Sequence, residues 1–268
     1  MPRKPLVAPT KKPIRIAAVR PNLGVESAYQ RKLDALIDAM NRSVSRAILA
    51  TYRADPPEMA QDESSPVLLR GVIARLSRDW GRRFDDFAAS VGSKFAKDAI
   101  GSADRSFAAG LKKAGFTIDW KMTPAANDIM RATIAEQVNL IKSIPAEYLT
   151  QVQGITMRSV QVGRDMGAMA RELEHQFGVT KRRAATIARS QSNIATASIT
   201  RARQQELGID TAIWLHSAGG RVPRASHVAM SGKPYKIAEG VILDGEKVWP
   251  GTAINCRCVS KSLIKGLE

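Results

Sequence analysis

The sequence predicts an α+β protein, with a mainly α-helical N-terminal two-thirds and a small, loop-rich β cap at the C-terminus. Three observations carry this. From Glu26 to Leu207, apolar residues recur at three- and four-residue steps, the spacing of one helix face. After Gly208 the texture changes to short β-branched and aromatic runs between turn residues. The composition is 44% hydrophobic, 25% charged and 5% aromatic, within the range of a globular protein; alanine, arginine and leucine dominate many stretches and favour helix.

Residues 1–24 hold five prolines, at positions 2, 5, 9, 13 and 21, with six Lys or Arg before Pro21. Proline lacks a backbone donor and fixes its own φ, so this stretch is expected to be an extended, mobile basic arm. Either a disordered tail or an arm laid along phosphates fits it. A helix follows from Glu26 to Tyr52, its apolar face formed by Leu33, Leu36, Ile37, Met40, Val44, Ala47, Ile48 and Tyr52. Pro56 and Pro57, with nearby acids and serines, predict a loop over Ala54–Pro66. Val72, Ile73, Leu76, Trp80, Phe84, Phe87 and Val91 make the stripe of a second helix, and Asp104–Ala114 is a further helix ended at Gly115. Phe116–Trp120 is expected to be extended. Thr123 and Pro124 open the next helix as N-cap and first-turn residue, and Pro145 is expected to interrupt it. Gly178 is expected to stop the helical pattern that starts near Gly154, and Thr180 to cap a last helix running to Leu207. In the cap, Thr211–His216, Tyr235–Ile237, Val241–Leu243, Lys247–Trp249 and Arg257–Val259 read as short strands. The expected division is a basic arm over 1–24, a helical domain over 25–150 and a C-terminal domain over 151–268.

The formal charge is +16, from 41 Lys and Arg against 25 Asp and Glu. It is segregated: residues 1–53 carry 11 basic and 3 acidic side chains, 54–150 carry 13 of each, and 151–268 carry 17 basic and 9 acidic. A surplus held at both ends points to a polyanionic neighbour such as nucleic acid, against the plainer reading of a solvated basic surface. No apolar run of about 18 residues is present, so no membrane-spanning helix is expected. No apolar signal-peptide core follows the basic start, and two cysteines cannot make a disulfide framework, so a reducing cytosol is expected.

Four side chains of the cap are capable of binding a metal: His216, His227, Cys256 and Cys258. Zinc knuckles usually present Cys-x-x-Cys; here the spacing is Cys-x-Cys, which in an extended segment still turns both thiols to one side. Zinc at His227, Cys256 and Cys258 is one reading, and small buried thiols in a structural latch are the other. His175 sits among charged neighbours on a helix and reads as a surface residue. No P-loop, Gly-x-Ser-x-Gly or His-Glu-x-x-His occurs. A metal nuclease built on His216, His227 and Asn255 would lack the acidic ligands such a site wants. The expectation is therefore no enzyme and no required cofactor.

The ordered series is more specific than any single ligand. A helix reading Arg183-Ala-Ala-Thr-Ile-Ala-Arg189 leads to Trp214, then Arg221-Val-Pro-Arg224, His227, Gly232, Pro250 and Asn255-Cys256-Arg257-Cys258. This resembles the Mu F-like phage head morphogenesis family over roughly residues 150–265. Its pattern is an arginine-ended helix, a tryptophan strand, an Arg-x-Arg piece before a histidine and a glycine, and a closing Asn-Cys-Arg-Cys. The chain departs from it in three places. Ser190-Gln191 stands where the family has Thr-Glu, Gly219 where an acid precedes Arg221, and Pro223 shifts the Arg-Val-Arg piece.

The resemblance implies a minor capsid protein of a tailed phage or prophage, acting in procapsid assembly near the portal. Its implied partners are the portal protein and other head proteins, with double-stranded DNA a further candidate and no membrane. Its implied location is the virion, inside the capsid at the portal vertex, after assembly in the host cytoplasm. A metal-dependent nucleic-acid-processing enzyme and a plain DNA-binding protein are the alternatives.

Overall fold

A computed structural model describes residues 13–54, 65–162, 165–219 and 222–264. The fold is α+β, with long helices through the N-terminal two-thirds and small antiparallel sheets at the C-terminal end. In chain order the elements are β1 (Ile14–Arg15), α1 (Leu23–Ala54), α2 (Ser65–Lys113), α3 (Pro124–Gln161), α4 (Met166–Glu206), β2 (Thr211–Leu215), α5 (Ala225–Ala229), β3 (Pro234–Lys236), β4 (Val241–Leu243), β5 (Glu246–Val248) and β6 (Val259–Ile264). Among the described residues no helix is long and apolar enough to cross a membrane.

Packing divides the chain into two compact units, each discontinuous in sequence: 27–93 with 135–188, and 1–26 with 94–134 and 189–268. The expected division at 150/151 follows resemblance, whereas this one follows packing, and the second cuts across the first.

The first unit is helical. On α1, Leu33, Ile37, Met40, Val44, Ile48 and Tyr52 of the expected stripe are buried, Tyr29 joins them, and Leu36 is only partly buried. Ile73, Leu76, Trp80, Phe84, Ala88 and Val91 are buried on α2, and Ile141, Ile144, Tyr148, Leu149, Val152 and Ile155 on α3. Three hydroxyl bonds join α1 to α3. Tyr29 donates to Gln137 Oε1 at 2.6 Å, Tyr148 to Asn41 Oδ1 at 2.6 Å, and Tyr52 to Ser159 Oγ at 2.7 Å. The contacts advance together along both helices, so α1 and α3 run parallel, in steps near eleven residues, about three helical turns. Lys181 of α4 pairs with Asp38 at 2.8 Å, and Arg183 with Glu147 at 2.8 Å.

Three expected helix breaks are absent. The second helix does not end before Asp104: α2 continues to Lys113. Phe95, Ala96, Ala99, Ile100, Ala103, Phe107 and Leu111 carry its apolar stripe onward and are buried. Pro145 lies inside α3. It denies Ile141 a backbone donor, but Ile141, Ile144, Tyr148 and Leu149 are all buried around it. Gly178 lies inside α4, and Thr180 is no cap; its hydroxyl donates back to the Gln176 carbonyl at 3.0 Å. In each case tertiary burial outweighs a local breaker worth about 1–3 kcal/mol. Thr123 does cap α3, accepting from the Ala126 N–H at 3.2 Å. The loop expected over Ala54–Pro66 lies mostly outside the described residues.

The second unit carries the sheets. Four strands lie in the order β1-β6-β2-β3, all antiparallel, and β4 pairs with β5 as a separate hairpin. β6 is central, pairing Thr211–Leu215 with Leu263–Val259 on one side and Ile14 with Ile264 on the other. The expected mobile arm is therefore fixed at its inner end. Ile14 and Arg15 form β1, and Ile16 and Val19 enter the core, where Ile16 packs with Phe107, Ile199 and Trp214. Phe116, Ile118 and Trp120 pack against the core in alternation with exposed Thr117 and Asp119, in a segment that forms no strand. The strand expected at Arg257–Val259 begins at Val259, because residues 251–255 are spent in turns before it.

Candidate functional site

The loop-rich end of the second unit brings the metal-capable side chains together. β2 ends at Leu215, which leaves His216 just past the strand; its backbone N–H donates to Ser231 Oγ at 3.2 Å. His227 sits on α5, whose preceding residue Arg224 donates to the Ile254 carbonyl at 3.0 Å. Cys256 and Cys258 approach from the segment before β6. His227 is 4% exposed, and each cysteine 3%. Cys256 Sγ lies 3.4 Å from His227 Nδ1, and Cys258 Sγ lies 3.6 Å from the same nitrogen. Cys258 Sγ also lies 3.6 Å from His216 Nδ1. His227, Cys256 and Cys258 present ligand atoms all within 4.8 Å of one another, so they are the residues that could hold a metal ion.

Two thiols side by side share one proton easily and lose the second with difficulty. The Cys258 thiol bonds to Cys256 and pushes it down to about 5; burial opposes this, and backbone N–H groups of Cys258 and Gly251 add to it. Cys258 is pushed up in turn, by the same bond and by burial. The Trp214 indole and the Ser217 backbone act on Cys258 in the opposite sense, towards the thiolate. Trp214 is fully buried and stands edge-on to the His227 ring at 5.2 Å, an aromatic wall for the cluster.

The turn that delivers the cysteines is tightly specified. Gly251 has φ +88, and a Cβ there would meet the Cys258 carbonyl oxygen at 3.0 Å and Ala197 Cβ at 3.1 Å. Asn255 has φ +59, a region that asparagine tolerates. Its backbone N–H donates to Ser190 Oγ of α4 at 3.0 Å. The Ser190 hydroxyl thus anchors the Asn-Cys-Arg-Cys turn to α4. Arg257 points away from the sulfurs and donates to the Gly219 carbonyl; where the family has an acid, this chain offers a backbone oxygen. Asn255 is exposed, Gly232 is an exposed turn residue with φ +83, and Arg189 is half-buried on α4. Arg221 lies outside the described residues. An open cavity of about 270 Å³ is lined by His216, Arg224, His227, Asn255, Cys256 and Cys258, among others.

Residues 150–261 match the family model described as Phage Mu protein F like protein.

The matched stretch runs from the end of α3 into β6, so it contains α4, the cluster and the turn that Ser190 anchors. A protein of Haemophilus influenzae, described as uncharacterized, is 34% identical over 146 residues, which is 54% of this chain and 32% of that protein. The chain therefore spans about a third of the length of the curated relative it matches. No solved structure matches.

One group of functional weight to the fold escapes sequence reasoning. Arg203 of α4, its side chain 2% exposed, makes two bonds to Asp104 at 3.0 and 2.9 Å. It adds Glu206 at 2.9 Å and the Lys121 carbonyl at 2.9 Å, and lies over the Trp120 ring. Its guanidinium is held further up by the Asp104 bond above all. Asp104 and Arg203 are 99 residues apart, so no local spacing joins them.

Proposed function

We propose that this chain is a head morphogenesis protein of a tailed phage or prophage, a minor capsid component acting in procapsid assembly near the portal. The observation that carries this reading is the match of residues 150–261 to the Mu F family, together with the contacts that tie its motifs into one construction. The ordered series is physically coherent: the helix after Arg189 anchors the Asn-Cys-Arg-Cys turn, Trp214 walls the buried His227, and Arg224 holds the same turn from α5. A protein built this way acts by binding head proteins and turns over no substrate. On this reading it resides in the capsid interior, having assembled in the host cytoplasm.

Immunodetection in purified procapsids and mature particles tests the proposal. The expected result is presence in few copies in procapsids, with co-purification of the portal protein. Absence from both kinds of particle overturns it.

The charge favours a second contact, with double-stranded DNA. The net +8 of residues 1–53 and of 151–268 is what phosphate neutralisation would use. Binding is expected to weaken steeply with salt and to be insensitive to sequence. A binding isotherm unchanged between low and physiological salt, or no binding at low salt, rules this contact out. Cleavage of the DNA by purified protein with a divalent metal, lost in His227→Ala, would instead favour the enzyme reading.

A further inference from the structure

We infer that His227, Cys256 and Cys258, with His216 as fourth ligand, form a structural zinc site. More atoms converge on one nitrogen than hydrogen bonding alone requires. A thiol–imidazole hydrogen bond joins one sulfur to one nitrogen, since an imidazole nitrogen has a single lone pair. Here two sulfurs approach the same His227 Nδ1, at 3.4 and 3.6 Å, and one of them also approaches His216 Nδ1 at 3.6 Å. These are polyhedron edges. With Zn–S about 2.3 Å and Zn–N about 2.0–2.1 Å at tetrahedral angles, adjacent sulfur and nitrogen ligands stand about 3.6 Å apart.

The donor chemistry agrees. Two sulfurs and two imidazoles suit zinc, and disfavour magnesium or calcium, which want oxygen. Metal binding requires thiolates, and two buried thiolates side by side repel each other unless a cation lies between them. The Trp214 indole nitrogen is buried without a hydrogen-bond partner.

Position gives the site its purpose. The ligands come from the end of β2, from five-residue α5 and from the turn before β6. The apolar residues nearest the ligands in sequence are left in solvent: Val222 is 90% exposed, Val228 44% and Ile254 66%. A metal tying three such segments supplies what a core cannot. Three ligands already lie within 4.8 Å of one another, and His216, 3.6 Å from Cys258 Sγ, is the fourth side chain that closes the site around the ion, which makes it of the structural kind.

The full chain, purified without chelator and without an immobilised-metal column, is analysed for metal after exposure to Zn²⁺. About one tightly held zinc per chain is expected, with Cys256→Ser and Cys258→Ser reduced to background while circular dichroism shows their helices retained. The chelated wild-type protein titrated with Co²⁺ gives a reading that needs no variant. An intense visible spectrum with thiolate charge-transfer bands is expected, and Zn²⁺ should abolish it. Removing an outer-shell partner already weakens metal binding by about 10–100-fold, so His216→Ala should weaken Zn²⁺ binding by at least about tenfold. Tyr235→Phe, a neighbour without a ligand atom in the cluster, should keep full occupancy. Wild-type protein with substoichiometric zinc and no thiolate bands with Co²⁺ overturns the site. Unchanged affinity in His216→Ala overturns the assignment of the fourth ligand.

Discussion

The two compact units hold their segments together by different means. In the helical unit, apolar stripes carry the packing, the buried polar links are hydroxyls such as Tyr29 on Gln137, and the ion pairs, such as Lys181 with Asp38, are partly exposed. In the strand-bearing unit, the polar links include an ionic and a sulfur-bearing group built on buried side chains: Arg203, 2% exposed, with Asp104 and Glu206, and His227 with two cysteines. The difference follows from geometry. A helix of thirty or more residues presents a long stripe that repeats its contact every turn. Strands of two to six residues separated by turns bury little each, so single residues must fix their relations.

That contrast can be broken most directly at Arg203. Arg203→Ala removes a buried guanidinium and leaves the mostly buried Asp104 carboxylate without its partner, and is expected to cost about 3–5 kcal/mol, measured by urea unfolding. Hydrogen exchange should show the loss in 94–134 and 189–264. A variant as stable as wild type would show that the buried ions are not what holds this unit. Phe84→Ala is the counterpart in the helical unit and is expected to cost about 3–5 kcal/mol through the cavity it leaves, read as lost protection in 65–93 and 135–161. Gly251→Ala asks whether the turn is as constrained as its φ and close neighbours imply. It should destabilise by about 1–3 kcal/mol, and a neutral effect would mean that the turn yields. The smallest effect is expected at the hydroxyl ladder. Tyr148→Phe removes one bond to Asn41 and should cost about 0.5–1.5 kcal/mol; a loss as large as that of Phe84→Ala would mean that the ladder, and not the apolar stripe, carries the unit.

Much of the fold is legible in the sequence because periodic burial is local. The stripe Leu33, Ile37, Met40, Val44, Ile48 is evident from residue spacing alone, and all five side chains are buried. The breaks at Pro145 and Gly178 are misread for the converse reason: a local breaker is visible, whereas the distant surface that overrides it is not. The metal-capable residues are legible as types, and their convergence depends on three segments whose turns the sequence only suggests. The tie from Ser190 to Asn255 has a signal, a hydroxyl at the family's threonine position. The tie from Asp104 to Arg203 has none.

The pairing of β1 with β6 also sets an order of events. Ile14 lies opposite Ile264, a separation of 250 residues. Such a contact contributes heavily to contact order, and the loop it closes carries an entropic cost before the strand bond returns anything. During synthesis Ile14, Arg15 and Ile16 leave the ribosome long before their partner exists, and β2 waits as well, since its longest pairing is also with β6. The strand-bearing unit is therefore expected to complete after the helical one, with β6 as the closing step. Until then the free edge of β2 is open to any other strand that meets it.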